Sequence, residues 1–262
     1  MQFLYPEGRK KALTFSYDDG MIFDRRLVEI FDCYGLKATF HLNSGNLDRD
    51  GYVTKKEVGS LYKNHEVACH SVHHRHMGQL SGEQLVSEIL DDRKALEELV
   101  GYPVRGMSYP YGEYSEEIVR ALSVLGIEYS RTVQSHGGFR APCDFLRWDP
   151  TCHHNDAMKK ADVFLNPPDY ETMPLFYVWG HSFEFDRQNT WEMMEKFCKK
   201  VSGKDDVWYA TNLQLKRYFC ALRSLVFNTA ETVVYNPSAI PVWLESNEHV
   251  LQAAPGRTLK VE

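Results

Sequence analysis

The sequence has no run of basic residues, no apolar stretch of membrane-spanning length and no C-x-x-C pair. With 36 acidic against 30 basic residues the formal net charge is −6. That balance argues against nucleic acid or an anionic membrane as a partner. The missing apolar run argues against a bilayer-spanning helix. The opening residues, MQFLYPEGRKK, lack the basic-then-apolar order of a secretory leader, so a cytoplasmic location is expected. The six cysteines (Cys33, Cys69, Cys143, Cys152, Cys198, Cys220) form no tight framework and read as reduced thiols. There is no internal repeat and no low-complexity tract. What is present is 262 residues, 43% of them apolar, enough for a sizeable core.

The first two thirds alternate strand and helix signals. KALTFSY (11–17), KATFHLN (37–43), EVACH (66–70), VRGMSYP (104–110) and IEYSR (127–131) are strand-like. Between them lie apolar residues at helical spacing, such as Leu27, Ile30, Phe31 and Tyr34, closed by Gly35. Thr54, Ser81 and Ser115 stand where helix caps belong, and Ser81 with Gln84 spells a capping box. Residues 132–173 read as long loops with one short helix near 156–163. LFYVWG (175–180) and DVWYA (206–210) are further strands, each followed by a helix at 190–201 and 212–224. This order implies βαβ units and a parallel sheet. We therefore expect a barrel-like α/β domain over 1–224. Beyond 225, short β-rich runs broken by prolines suggest a small antiparallel extension, packed on the barrel or on a partner subunit.

In a barrel of parallel strands the carboxyl ends open on one face, where active sites lie. The polar residues collect at those ends. Asp18 and Asp19, in SYDDG, follow the first strand. His70 ends the third, and HSVHHRHM continues after it with His73, His74 and His76. Tyr109, Pro110 and Tyr111 follow the fourth, and His181 ends LFYVWGH. An Asp-Asp-Gly taken alone is a turn. Four histidines within seven residues are uncommon, and neutral imidazole is a frequent metal ligand. His70 and His74 at i, i+4 can face one point, and His70 with His73 at i, i+3 also fits. One carboxylate and two imidazoles leave open metal positions, as catalytic sites require. The second aspartate is then free to act as a base.

These stretches (TFSYDDG, HSVHH, SYPYG and VWGH) resemble, in order and spacing, the motifs of the polysaccharide deacetylases with NodB homology, carbohydrate esterase family 4. The resemblance covers about residues 10–220. It implies a distorted (β/α) barrel, a divalent metal (zinc, with cobalt or nickel as alternatives) and hydrolysis of N- or O-acetyl groups on sugars. Carried over, Asp18 would be the base, Asp19, His70 and His74 the metal ligands, and His181 the general acid. Tyr111 would offer its backbone N–H to the oxyanion. Ser71 would steady the loop. Trp179, Trp148, Tyr109 and Pro110 would contact substrate. An acetylated sugar or oligosaccharide is the expected partner, and a homo-oligomer is left open.

Three departures stand out. Ser108 occupies the place of the family's base-orienting arginine, and Arg105 is the nearest arginine in sequence. Unless a cation reaches in, Asp18 should titrate higher than it would beside an arginine. Trp179 replaces a usual leucine. No aspartate pair followed by tryptophan is recognisable, so RWDPTCHHND (147–156) supplies the candidates for orienting His181: Asp149, His153 or His154. Other readings are a hydrolase of a cyclic amide, a silent sugar-binding barrel, and a non-haem iron oxygenase, which also uses two histidines and a carboxylate.

Overall fold

The computed structural model describes residues 1–261. The first half runs β1 (Gln2–Leu4), β2 (Lys11–Asp19), α1 (Asp24–Cys33), β3 (Ala38–Leu42), α2 (Lys55–Leu61), β4 (Glu66–Cys69), α3 (Gly82–Val100), β5 (Gly106–Ser108), α4 (Glu116–Val124) and β6 (Tyr129–Arg131). The second half runs β7 (Cys152–His153), α5 (His154–Leu165), β8 (Leu175–His181), α6 (Ser182–Arg187), α7 (Trp191–Val201), β9 (Val207–Tyr209) and α8 (Asn212–Arg223). Five short strands close the chain: β10 (Val226–Phe227), β11 (Val233–Tyr235), β12 (Val242–Ser246), β13 (His249–Ala253) and β14 (Thr258–Lys260).

The main sheet has the order β6-β5-β4-β3-β2-β8-β7, all parallel, with β9 also pairing the start of β2. It curls into a half-barrel. Alternation along β2 explains the curl's two faces. Leu13, Phe15 and Tyr17 point outward into the main apolar core under the helices, beside Phe31 and Phe40. Ala12, Thr14, Ser16 and Asp18 point inward. Their partners are inward residues of other elements: Thr14 Oγ1 donates to Asn212 Oδ1 at 2.8 Å, and Ser16 Oγ lies 3.1 Å from His41 Nδ1. The lower interior is aromatic, with Tyr5, Tyr129, Trp148, Tyr177 and Tyr218 in a second cluster. On β8 the same alternation sends Phe176 and Val178 outward, while Leu175, Tyr177, Trp179 and His181 share the inner face. Truncating an outward anchor such as Phe15 to alanine should cost about 3–5 kcal/mol.

Local signals act as expected at α3 and α4. Ser81 and Gln84 exchange both capping-box bonds, Gly101 takes φ 74 after α3, and Ser115 accepts from Ile118 N–H. Thr54 does not cap α2; its hydroxyl donates to Glu57 Oε2 at 2.8 Å instead. Between 132 and 173 the helix is longer than expected, and β7 precedes it. Its buried face uses Ala157, Ala161 and Phe164, a spacing in which small residues give a faint apolar period.

Past 225 the chain makes two small antiparallel sheets, β1-β12-β13 and β10-β11-β14. Val234, Leu244, Ala253 and Val261 form their own core. The chain's first strand is thus paired with β12. Tyr218 on α8 ties both to the barrel, donating to Leu4 O and accepting from Trp243 N–H at 3.1 Å.

Candidate active site and metal centre

Asp19, His70 and His74 meet at the carboxyl ends of β2 and β4. Asp19 Oδ1 is 3.7 Å from His70 Nε2 and 3.9 Å from His74 Nε2, and each residue turns one donor atom to a common point. The donor set fits a divalent ion of the zinc type with open positions. His70 is prepared for ligation. Its Nδ1 lies 2.9 Å from the Ser108 carbonyl oxygen. A carbonyl only accepts, so Nδ1 carries the proton and Nε2 keeps its lone pair. Ser71 Oγ accepts from His74 N–H at 3.0 Å and fixes the loop. His73 turns away, with Nδ1 2.7 Å from Glu88 Oε1.

The backbone here is strained. Asp19, Ser71, His74 and Tyr111 all have positive φ, at 81°, 62°, 53° and 57°. Such residues cost about 1–3 kcal/mol each and persist where the surroundings enforce them. Gly20 completes the turn with φ 69, and a Cβ there would sit 2.9 Å from Leu42 Cδ2.

Asp18 points the other way, into the barrel, and is 2% exposed. Ser108 Oγ donates to its Oδ1 at 3.1 Å, and the Arg131 guanidinium pairs with Oδ2. Arg131 is itself held on every side. Nε donates to Ser16 Oγ at 3.0 Å, Nη1 to Thr132 O at 3.0 Å, and its plane lies 4.4 Å over the Trp179 ring. Burial would raise the Asp18 pKa, but Arg131, with His70, His41 and His181, pulls it well below the usual carboxylate range. A cation does reach in, so the condition for a high-titrating Asp18 is not met. Arg105 is not the cation; it bonds Gly126 O at 3.2 Å. The supplier is Arg131, whose Cα is the cross-strand partner of Ser108.

His181 stands across the cleft at the end of β8. Its Nδ1 is 3.1 Å from Glu184 Oε1, one turn into α6. Burial would lower the His181 pKa, but the Glu184 bond and the charges of Asp18 and Asp19 raise it above its ordinary value. Glu184, despite its own burial, is held below the usual range by His153 and His181. His153 and His154 approach Glu184, not His181. Asp149 accepts from Thr132 Oγ1. The orienting carboxylate thus comes from α6.

The family model for polysaccharide deacetylase matches residues 6–130. Over that stretch, slightly under half of its length, the chain is similar to this family. It is 27% identical over 114 residues to a peptidoglycan-N-acetylglucosamine deacetylase of Bacillus cereus, covering 43% of this chain and 51% of that protein. The chain spans about half the length, or less, of the curated relatives it matches. Among solved structures, a putative polysaccharide deacetylase of Mycobacterium smegmatis superposes with TM-score 0.64 at 18% identity, over 85% of this chain and 95% of that one. A family 4 acetyl xylan esterase of Clostridium thermocellum, in complex with a cobalt ion, gives TM-score 0.54 at 16% identity over 78% and 89% of the two chains. At these identities the structures speak for a shared fold.

The remaining residues singled out from the sequence are placed as follows. Tyr111 is 54% exposed at the rim, its ring stacked 3.9 Å from His76 and edge-on 4.4 Å to His74. Trp179 is half-buried between Arg131 and His153. Trp148 and Tyr109 are each 1% exposed and Pro110 is buried. Trp148 packs edge-on to Tyr129 and Tyr177 in the lower interior, and Tyr109 donates to Leu146 O at 2.7 Å. Burial removes these three side chains from those a sugar can touch. Arg131 and Glu184 were not singled out from sequence. Strand alternation puts Arg131 on the face of Tyr129, and i+3 spacing puts Glu184 beside His181, which were the available signals. Among the described residues no helix is long and apolar enough to cross a membrane.

Proposed function

We propose that this chain is a metal-dependent hydrolase that removes acetyl groups from a carbohydrate. The observation that carries the reading is the convergence of Asp19, His70 and His74 on one point flanked by Asp18 and His181. Zinc, cobalt or nickel would be held by those three side chains. A bound ion of this kind polarises a carbonyl and acidifies water.

The other roles fall to the chain's own groups. Asp18, kept ionised by Arg131, takes a proton from the attacking water. The water oxygen bonds to the acetyl carbon, and the carbon–nitrogen or carbon–oxygen bond to the sugar breaks. His181, kept protonated by Glu184, gives its proton to the leaving atom, and acetate departs. The Tyr111 backbone N–H faces the developing oxyanion. Trp179 shapes the acetyl pocket. N-acetylated glucosamine polymers are the first substrates to try, because a relative carries that activity in its name; acetylated xylan is second.

Acetate release from N-acetyl and O-acetyl oligosaccharides tests the reading, with Asp18→Asn as control. Acetate from one class, abolished in the variant, supports it. Opening of a cyclic amide without acetate release from any sugar would replace it. The two-histidine, one-carboxylate set also suits an iron oxygenase, but that chemistry has no use for the buried Asp18–Arg131 pair.

A further inference from the structure

A second set of donors converges beside the first. Glu184 Oε2 lies 2.9 Å from His153 Nε2 and 3.2 Å from His154 Nε2. The three residues turn one ligand atom each to a common point. Such separations approach the roughly 3.3 Å between ligands of a tetrahedral ion bound at about 2.0–2.1 Å.

These close approaches are not aligned hydrogen bonds. Glu184 Oε2 and both ring nitrogens of His154 are buried without a hydrogen-bond partner. His154 is 1% exposed. Leaving such groups unpaired is unfavourable, and native structures rarely do so without a partner for them. The ring is also held in place. It stacks on Phe185 at 4.2 Å and on Tyr17 at 5.9 Å. Gly180 makes the space, since a Cβ there would overlap His154 Nδ1. A fixed, unpaired, buried imidazole aimed at an unpaired carboxylate oxygen is what a metal ligand pair looks like before the ion arrives.

We propose that His153, His154 and Glu184 form a second divalent-cation site, separate from Asp19, His70 and His74. Two imidazoles and one carboxylate select a transition ion of the zinc type over magnesium or calcium. Binding would move the His153 proton to Nδ1 and give up the long contact, 3.4 Å, that this atom makes with Asn155 N–H. On the proposed reading of His181, an ion on Oε2 draws on the same carboxylate that holds the proton donor through Oε1. Occupancy and proton donation are then coupled.

The test uses the full chain and zinc itself. Zinc per chain is measured by elemental analysis after equilibrium dialysis. In the Asp19→Asn/His74→Gln variant, which disables the first site, one ion should remain. Adding His153→Gln/Glu184→Gln should remove it. Both added positions are partly exposed, with side chains 24% and 20% accessible, so the fold should tolerate them; circular dichroism checks this. In the otherwise unaltered chain, the same pair should lower zinc content by one. Equal zinc content with and without the pair overturns the proposal. So does an Asp19→Asn/His74→Gln variant that binds none, and neither outcome depends on whether the first site binds.

Discussion

The two walls of the cleft assemble their parts differently. On the wall of β2, β4 and β5, the groups that converge are neighbours in short motifs: Asp18 with Asp19, and His70 with Ser71 and His74. On the wall of β8 and α6, His181 stands in a motif but its partner Glu184 does not. Arg131 belongs to neither set of motifs and joins the walls, pairing with Asp18 while lying over Trp179. A buried carboxylate needs a cation and a protonated imidazole needs a carboxylate, but many backbone positions can supply either. Ser108 and Arg131 are direct cross-strand partners, so the guanidinium stands one strand over and still reaches the same carboxylate, on its other oxygen.

The largest expected effect is on the first wall. Asp18→Asn should lower kcat/KM by about 10²–10⁴-fold with metal content unchanged. Loss of the metal in that variant would make Asp18 a ligand and erase the division of labour between the two aspartates.

Arg131→Met leaves a buried carboxylate without its counter-charge. It should destabilise the fold by about 3–5 kcal/mol in urea unfolding. Ser108→Arg in that background should restore part of both stability and activity, because the new side chain starts from the facing position. If Arg131→Met is as stable as the parent chain, the pair is not what holds Asp18.

A comparable effect lies behind the second wall. Asp24 accepts from Ser182, next to His181, and from Tyr62 OH at 2.7 Å. Burial pushes its pKa up to about 7, although the bonds from Ser182 and Tyr62 oppose the rise. The folded state therefore holds this proton more tightly than the unfolded state. The stability it contributes is complete below about pH 4 and is lost as pH rises through about 7, by up to about 4 kcal/mol. Asp92, also raised to about 7 by burial, adds in the same sense. Asp24→Asn should shrink the drop in unfolding free energy between pH 5 and pH 8, and an unchanged drop would assign it elsewhere.

Glu184→Gln should be milder, about 10–100-fold in kcat/KM. Without the carboxylate the His181 pKa falls, so the basic limb of the pH profile moves to lower pH. A rate loss with that limb unmoved would leave Glu184 a packing role only.

The same contrast explains what could be read from sequence. The succession of strands and helices and the convergence of Asp18, Asp19, His70, His74 and His181 follow from hydrophobic periodicity and from the carboxyl-end rule. Trp148 was misplaced because an aromatic near a motif looks like a sugar platform, whereas β6 and β8 enclose it below the cleft. Arg131 was missed because its strand is three residues long, so the alternation that places it on the face of Tyr129 spans a single repeat. Glu184 was missed because an acidic residue in a first helical turn reads as a dipole partner. The start of α5 was hidden in His-His-Asn-Asp, which has no apolar period.

The most direct measurement is acetate release from N-acetylglucosamine oligomers by the chain after chelation and after adding back one equivalent of zinc or cobalt. The chelated chain should release none, the parent chain should recover on adding the ion back, and His74→Ala should not. Release that survives chelation, or that His74→Ala recovers in full, would contradict a metal held by Asp19, His70 and His74.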